Sequence, residues 1–139
     1  MRRSANSGQR RNRVAFINPP ELAPPPGYAH IADVAGGRLI FIAGQVATDK
    51  QGNLIGGNDL GAQAEQVFRN LGAALQSAGC SPRDLVKLTV FLRDMSWLPA
   101  YRQARDRFLD GATPAITLVE VSRLFDDPFL IEIEAVAAA

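Results

Sequence analysis

The chain has 139 residues, enough for one domain with a modest core; 47% are hydrophobic and 21% charged, an ordinary balance for a globular protein. No run approaches the roughly 18 apolar residues of a membrane helix, and the basic N-terminus has no apolar stretch behind it to make a secretory signal, so a cytoplasmic protein with no membrane partner is expected. Cys80 is the only cysteine and His30 the only histidine, which excludes an internal disulfide, argues against a Cys/His zinc site within one chain and fits a reducing compartment; no cofactor is expected.

The net charge of +1 conceals an asymmetry. Setting aside Arg2, Arg3, Arg10, Arg11 and Arg13 leaves 10 basic against 14 acidic residues, a body of net charge −4. Residues 1–17 read as a flexible basic arm, ahead of a single domain over 18–139. A basic arm can touch nucleic acid, but no aromatic residue interleaves with these arginines for base stacking. A solvated extension is the simpler reading, and nucleic acid is not an expected partner.

Five prolines in residues 18–30 forbid a helix and favour an extended lead-in. Residues 31–35, Gly36-Gly37 and residues 38–43 have the signature of a hairpin. Gly44-Gln45 follows, where glycine permits a bend or a close backbone approach. Residues 49–53 and 56–59 carry turn chemistry. A helix begins near Asp59: Ala64, Val67, Phe68, Leu71, Ala74, Leu75 and Ala78 form one apolar stripe, with Asn58 or Asp59 as cap and Gly79 as stop. Cys80 then reads as an incidental thiol. Residues 84–93 form a strand with Val86, Leu88, Val90 and Leu92 on one face. A second helix has Ser96 as cap candidate and Pro99 in its first turn. Leu98, Tyr101, Ala104, Arg105 and Phe108 recur on one side of it, and Gly111 lies beyond its end. Trp97 reads as a packing residue.

Residues 113–124 and 129–136 read as two strands joined by a short, acidic, Pro-containing turn. In the second, Phe129, Ile131, Ile133 and Ala135 point one way and Leu130, Glu132, Glu134 and Val136 the other. Two carboxylates on one face of an apolar strand mark either a solvated outer face or the edge of a cleft. The order ββαβαββ, with two helices of similar length on one face of a mixed sheet, is an α+β arrangement.

Several of these residues, taken in order, resemble one family. Ala43-Gly44-Gln45, then Gln63 with Val67 to Leu71, Ala78-Gly79, the run from Asp84 to Met95, Thr113-Pro114-Ala115, Val119 to Leu124 and Ile131 to Val136 are similar in sequence and spacing to the Rid/YjgF proteins. These are the reactive intermediate deaminases, also described as translation-inhibitor or endoribonuclease-like proteins. The likeness runs from about residue 28 to the end. It implies a chorismate-mutase-like fold and a homotrimer whose sheets face inward, with three small-molecule clefts between neighbouring subunits. In the deaminase branch those clefts hydrolyse enamines and imines made by pyridoxal-phosphate enzymes. An arginine right after Pro-Ala grips the substrate carboxylate, the first glutamate of Glu-x-Glu handles water or a proton, and backbone near the Gly-Gln stretch holds the substrate.

The chain departs from that pattern at the anion clamp. Ile116 follows Pro114-Ala115, and an alkyl group cannot replace a bidentate guanidinium. Losing such a partner in a buried site costs roughly 2–5 kcal/mol. Ala43 stands where many members have serine, and Leu118 makes the neighbourhood of Ile116 more apolar. The resemblance leaves Glu132 as the catalytic candidate, with Tyr28, Ala43, Gly44, Gln45, Arg102, Ile116 and Leu118 as ligand-binding candidates. His30 is an alternative to Tyr28 for the family's aromatic position. Arg102 and Glu132 are expected to face one intersubunit pocket walled by Ile116 and Leu118, and a carboxylate beside that guanidinium should stay ionised.

Two function classes follow. One is a hydrolase or deaminase of an imine, enamine or related metabolite that is not a typical 2-iminopropanoate deaminase. The other is a non-catalytic trimeric metabolite-binding or regulatory protein. RNA cleavage has the least support, because there is no histidine pair and the body is acidic.

Overall fold

The structure, a computed structural model, describes residues 13–139; the rest of the expected arm, residues 1–12, lies outside them. Eight elements follow in order: β1 (Arg13–Ile17), β2 (Ile31–Ala35), β3 (Leu39–Gln45), α1 (Leu60–Ser77), β4 (Leu85–Leu92), α2 (Leu98–Leu109), β5 (Ala115–Glu120) and β6 (Ile131–Ala138). Two helices pack on a mixed sheet, the α+β arrangement expected. That sheet runs β3-β6-β4-β5, and β1-β2 form a separate ribbon. The pair β4–β5 is parallel, with α2 as its crossover, and β6 is antiparallel to both β3 and β4.

Alternation builds the core. Leu88, Val90 and Leu92 of β4 and Ile131, Ile133, Ala135 and Ala137 of β6 are buried against the helices. From α1 come Val67, Phe68, Leu71 and Leu75, and from α2 come Tyr101, Ala104 and Leu109. The Asp59 carboxylate caps α1 by accepting from the Ala62 N–H at 3.4 Å. The helix stops at Gly79, whose φ of 75° lets Gly79 and Cys80 donate back to Gln76 and Leu75, a Schellman end.

Four expectations need correction. The segment Arg13–Ile17, assigned to the arm from its charge, is a strand paired with β2. The 31–43 hairpin does not form: Gly36 and Gly37 do take positive φ, yet β3 pairs with the C-terminal strand. Arg38 and Ala139 exchange both backbone hydrogen bonds, at 2.9 and 3.0 Å. Turn chemistry encodes a reversal of the chain, whereas the pairing partner is set by strands that arrive later. Likewise β5 and β6 are not neighbours, because β4 lies between them. Lastly, the second helix is preceded by a 3₁₀ turn, Met95–Trp97, capped by Asp94 rather than Ser96 (Ser96 N–H to Asp94 Oδ1, 2.9 Å), and the helices differ in length, 18 against 12 residues.

Gln63 is the main polar group of the interior. Its amide donates to the carbonyls of Gly57 (2.6 Å) and Pro128 (2.9 Å) and accepts from the Leu130 N–H (3.0 Å). It ties α1 to the segment that enters β6 and so sets where Glu132 begins. The outer face of the sheet has no helix over it. Leu39 and Phe41 stay exposed there, Phe41 by 76%. No helix among the described residues is long and apolar enough to cross a membrane.

Candidate functional site

The expected site residues divide into two groups on different surfaces. The first is on the outer face. Glu132 pairs with Phe91 of β4, which in turn pairs with Val119 of β5, and paired residues share a face. The register of β3 against β6 shifts between Ile42 and Gln45, a bulge at Ala43-Gly44 that brings Gly44 under the Glu132 side chain. A Cβ on Gly44 would overlap the Glu132 carboxylate, so only glycine allows this approach. Gln45 donates its side-chain amide to the Ala43 carbonyl at 3.0 Å, which closes the bulge.

Glu132 is half-buried. Burial, and then the neighbouring Glu134 charge, push its carboxyl above the ordinary glutamate value. The expectation of a carboxylate kept ionised by Arg102 is not met within the chain, since the two occupy different surfaces. Glu134 is exposed on the same face.

The second group lies at the helix side of β5. Leu88 and Val90 pair with Ile116 and Leu118, so these two side chains share the helix-covered face. They wall a cavity of about 220 Å³ whose other lining comes from α2 and the lead-in, including Tyr28, Leu98, Tyr101, Arg102 and Arg105. The lead-in is anchored by the Ala29 N–H, which donates to the Pro114 carbonyl at 3.1 Å, and by a parallel bridge from Ala29 to Ala115. That contact brings Tyr28 beside β5. His30 instead approaches the Ala23 carbonyl with its Nε2 at 2.7 Å, edge-on to the Tyr28 ring, so Tyr28 and not His30 lines the cavity. Arg102 is exposed at the mouth.

Sequence reasoning missed two polar residues in this cavity, Tyr101 and Arg105. Tyr101 is 1% exposed and no described group accepts its hydroxyl proton; burial pushes the phenol up to about 12, opposed by the charge of Arg105 and its hydrogen bond toward the phenol oxygen. Arg105 is itself buried, with its Cζ 5.8 Å from the Tyr101 ring centre. The signal was a charged residue on the apolar side of α2, four positions after Tyr101, where a solvated face was not available to it. Among the described residues no group of three or more His, Cys, Asp or Glu is placed to hold a metal ion.

Comparison with known proteins places this geometry among relatives. The family model described as Endoribonuclease L-PSP matches residues 20–139. A RutC family protein of Synechocystis sp. is 43% identical over 117 residues, 83% of this chain and 89% of that protein. The mouse protein named 2-iminobutanoate/2-iminopropanoate deaminase is 36% identical over 101 residues, covering 72% and 73% of the two chains. The solved structure of a conserved Rid family protein of unknown function, from Yersinia pestis, superposes with a TM-score of 0.83 at 39% identity, covering 94% of this chain and all of that one (100%).

Proposed function

Because the chain belongs to the Endoribonuclease L-PSP family, with RutC and Rid proteins as its relatives, we propose that it is a homotrimer whose intersubunit clefts hydrolyse an imine, enamine or related small metabolite. The observation that carries this reading is the division of the site. Glu132 with Ala43, Gly44 and Gln45 lies on one surface, and Tyr28, Arg102, Ile116 and Leu118 lie on another. A second copy, presenting its α2–β5 edge to the outer face of the first, would unite them. Such a head-to-tail contact is heterologous, and with a threefold rotation it would close into a ring of three. The exposed Leu39 and Phe41 are the apolar area such a contact would cover.

In this cleft water adds to the carbon of C=N and the nitrogen leaves as ammonia, yielding the carbonyl compound. Glu132 orients the water and takes its proton, then returns a proton to the leaving nitrogen. A carboxyl raised above its ordinary range serves both steps better than a fully ionised one. Ile116 offers no guanidinium at the strand position, so 2-iminopropanoate should be a poorer substrate here than for arginine-bearing relatives.

Light scattering should give about 45 kDa, three chains of 15.0 kDa, a closed trimer. Ammonia release should then be followed with a pyridoxal-phosphate dehydratase supplying imines of increasing side-chain length. Turnover that falls at least a hundredfold in Glu132→Gln supports the assignment. A monomer mass at micromolar protein refutes the cleft. A trimer without turnover on any imine leaves metabolite binding as the function of the same clefts.

A further inference from the structure

We propose that the cavity between α2 and β5 is an anion subsite in which Arg105, with the Tyr101 hydroxyl, clamps the carboxylate of a small and otherwise apolar ligand. The proposal rests on reading this cavity as one half of the ligand cleft and names the ligand class that half accepts.

Arg105 is only 7% exposed, and arginine is almost never so buried without a partner. Its Nε donates to the Asp106 carboxylate at 2.9 Å, which sets the roll of the guanidinium. Its two terminal nitrogens make no hydrogen bond of good geometry with the described residues. One of them lies against Gly27, where any side chain would overlap it, and Gly27 has φ +81°. The lead-in backbone is therefore bare where the guanidinium rests.

Tyr101 supplies the second, independent observation. Its hydroxyl is fully buried beside the same cavity; the Arg105 side chain approaches its oxygen, but no described group accepts its proton. A phenol held protonated by burial is a donor, and so is a guanidinium. The guanidinium has terminal N–H groups to spare beyond its Asp106 bond, and the phenol has a proton that no described group accepts, so the two together call for one acceptor. Arg102 adds a second positive charge at the mouth, and no acidic side chain lines the cavity. A carboxylate matches this set, because its two oxygens fit the paired nitrogens of a guanidinium edge. Leu98, Ile116 and Leu118 would hold the apolar body. A cavity of about 220 Å³ exceeds the ~150 Å³ that accommodates benzene, so it takes a ligand of roughly six to ten heavy atoms.

The consequence concerns the missing arginine. The cation that resemblance puts on β5 at position 116 is supplied from α2 instead. A carboxylate held from the helix enters the cleft from another direction than one held from the strand, so the shortest imino acids are the poorest fit.

The test is isothermal titration of the full chain with butanoate, its neutral isostere butanamide, and inorganic phosphate. Butanoate should bind and butanamide should not. Arg105→Gln should weaken butanoate binding roughly thirty- to several-thousand-fold. Arg105→Lys keeps the charge but not the paired edge and should fall between. Tyr101→Phe should weaken binding roughly tenfold or more, yet change the ligand-free melting temperature little, since the deleted hydroxyl donates to no described group. Should Arg105→Gln fail to fold, Tyr101→Phe carries the test alone. Equal affinity for butanoate and butanamide overturns the proposal, as does phosphate binding more tightly than butanoate. Dissociation of Arg105→Gln into monomers with butanoate affinity intact would assign the guanidinium to a subunit contact. A monomeric parent that binds butanoate through Arg105 keeps this inference and refutes the trimeric cleft. A trimer that loses turnover in Glu132→Gln but binds butanoate equally well without Arg105 does the reverse.

Discussion

On the outer face of the sheet Glu132 and Glu134 share the surface with Lys87 and with exposed apolar residues such as Phe41. At the α2–β5 edge the charged groups are guanidiniums, Arg102 and Arg105, over a cavity walled by Ile116 and Leu118. The outer group is held by backbone: a bulge, a glycine and the strand register. The edge group is held by packing, with a buried tyrosine whose hydroxyl proton has no acceptor beside a buried arginine paired to Asp106. In the proposed assembly these two surfaces would face one another between copies, where opposite charges steer association and set register. On that reading each surface is one half of the cleft, shaped by a different device.

The comparison breaks most severely if the outer face cannot meet a second copy. Phe41→Asp puts an unpaired carboxylate into the proposed contact, a change that costs several kcal/mol when buried. The mass by light scattering should fall from about 45 kDa to 15.0 kDa, and turnover should vanish while circular dichroism stays native. A trimer that survives this change refutes the outer face as the contact surface.

A smaller effect is expected from Gly44→Ala. The added methyl overlaps the Glu132 carboxylate and displaces it by about an ångström, which costs roughly a hundredfold in turnover. Butanoate binding at the other half should be untouched. Parallel losses in both assays would show that the halves are not independent.

Gln63→Leu tests the support behind the outer half. It removes three hydrogen bonds and leaves the Leu130 N–H without its partner. Stability should drop by about 2–4 kcal/mol, read as a lower denaturant midpoint. The α2–β5 cavity has no contact with this network, so butanoate affinity in the folded protein should persist.

The smallest effect is electrostatic. The Glu132 carboxyl is raised in the folded chain by burial and by Glu134, so the folded state holds its proton to higher pH than the unfolded state does. That raised value lowers stability above it, and the penalty disappears as pH falls below the ordinary glutamate range near ~4.3. Glu132→Gln should therefore melt slightly higher than the parent at neutral pH and equally at about pH 3.5. A gap that widens on acidification would reverse the sign and point to a cation paired with Glu132 in the assembly.

Much of the fold was legible because it is local. Alternation in β4 and β6 assigns each residue to a face, and the stripe in α1 assigns its buried side, whatever the rest of the chain does. The Asp59 cap and the Gly79 stop follow from backbone groups that a helix end must satisfy. Gly44 and Glu132 were candidates from resemblance, as were Tyr28, Ile116 and Leu118, but their division between two surfaces was not visible in their order.

Pairing and burial were decided only in three dimensions. Gly36-Gly37 has the chemistry of a hairpin turn, yet β3 takes its partner from the chain end, about a hundred residues away, because loop closure grows costly only slowly with length. The insertion of β4 between β5 and β6 follows from the crossover through α2, which no local pattern records. Arg105 is the sharpest case. Its spacing placed it on the apolar side of a helix, but its burial beside Tyr101 depends on the lead-in reaching Pro114 and leaving the Gly27 backbone bare. Composition sets what a side chain can do, and only the packing around it decides whether water or a ligand completes its hydrogen bonds.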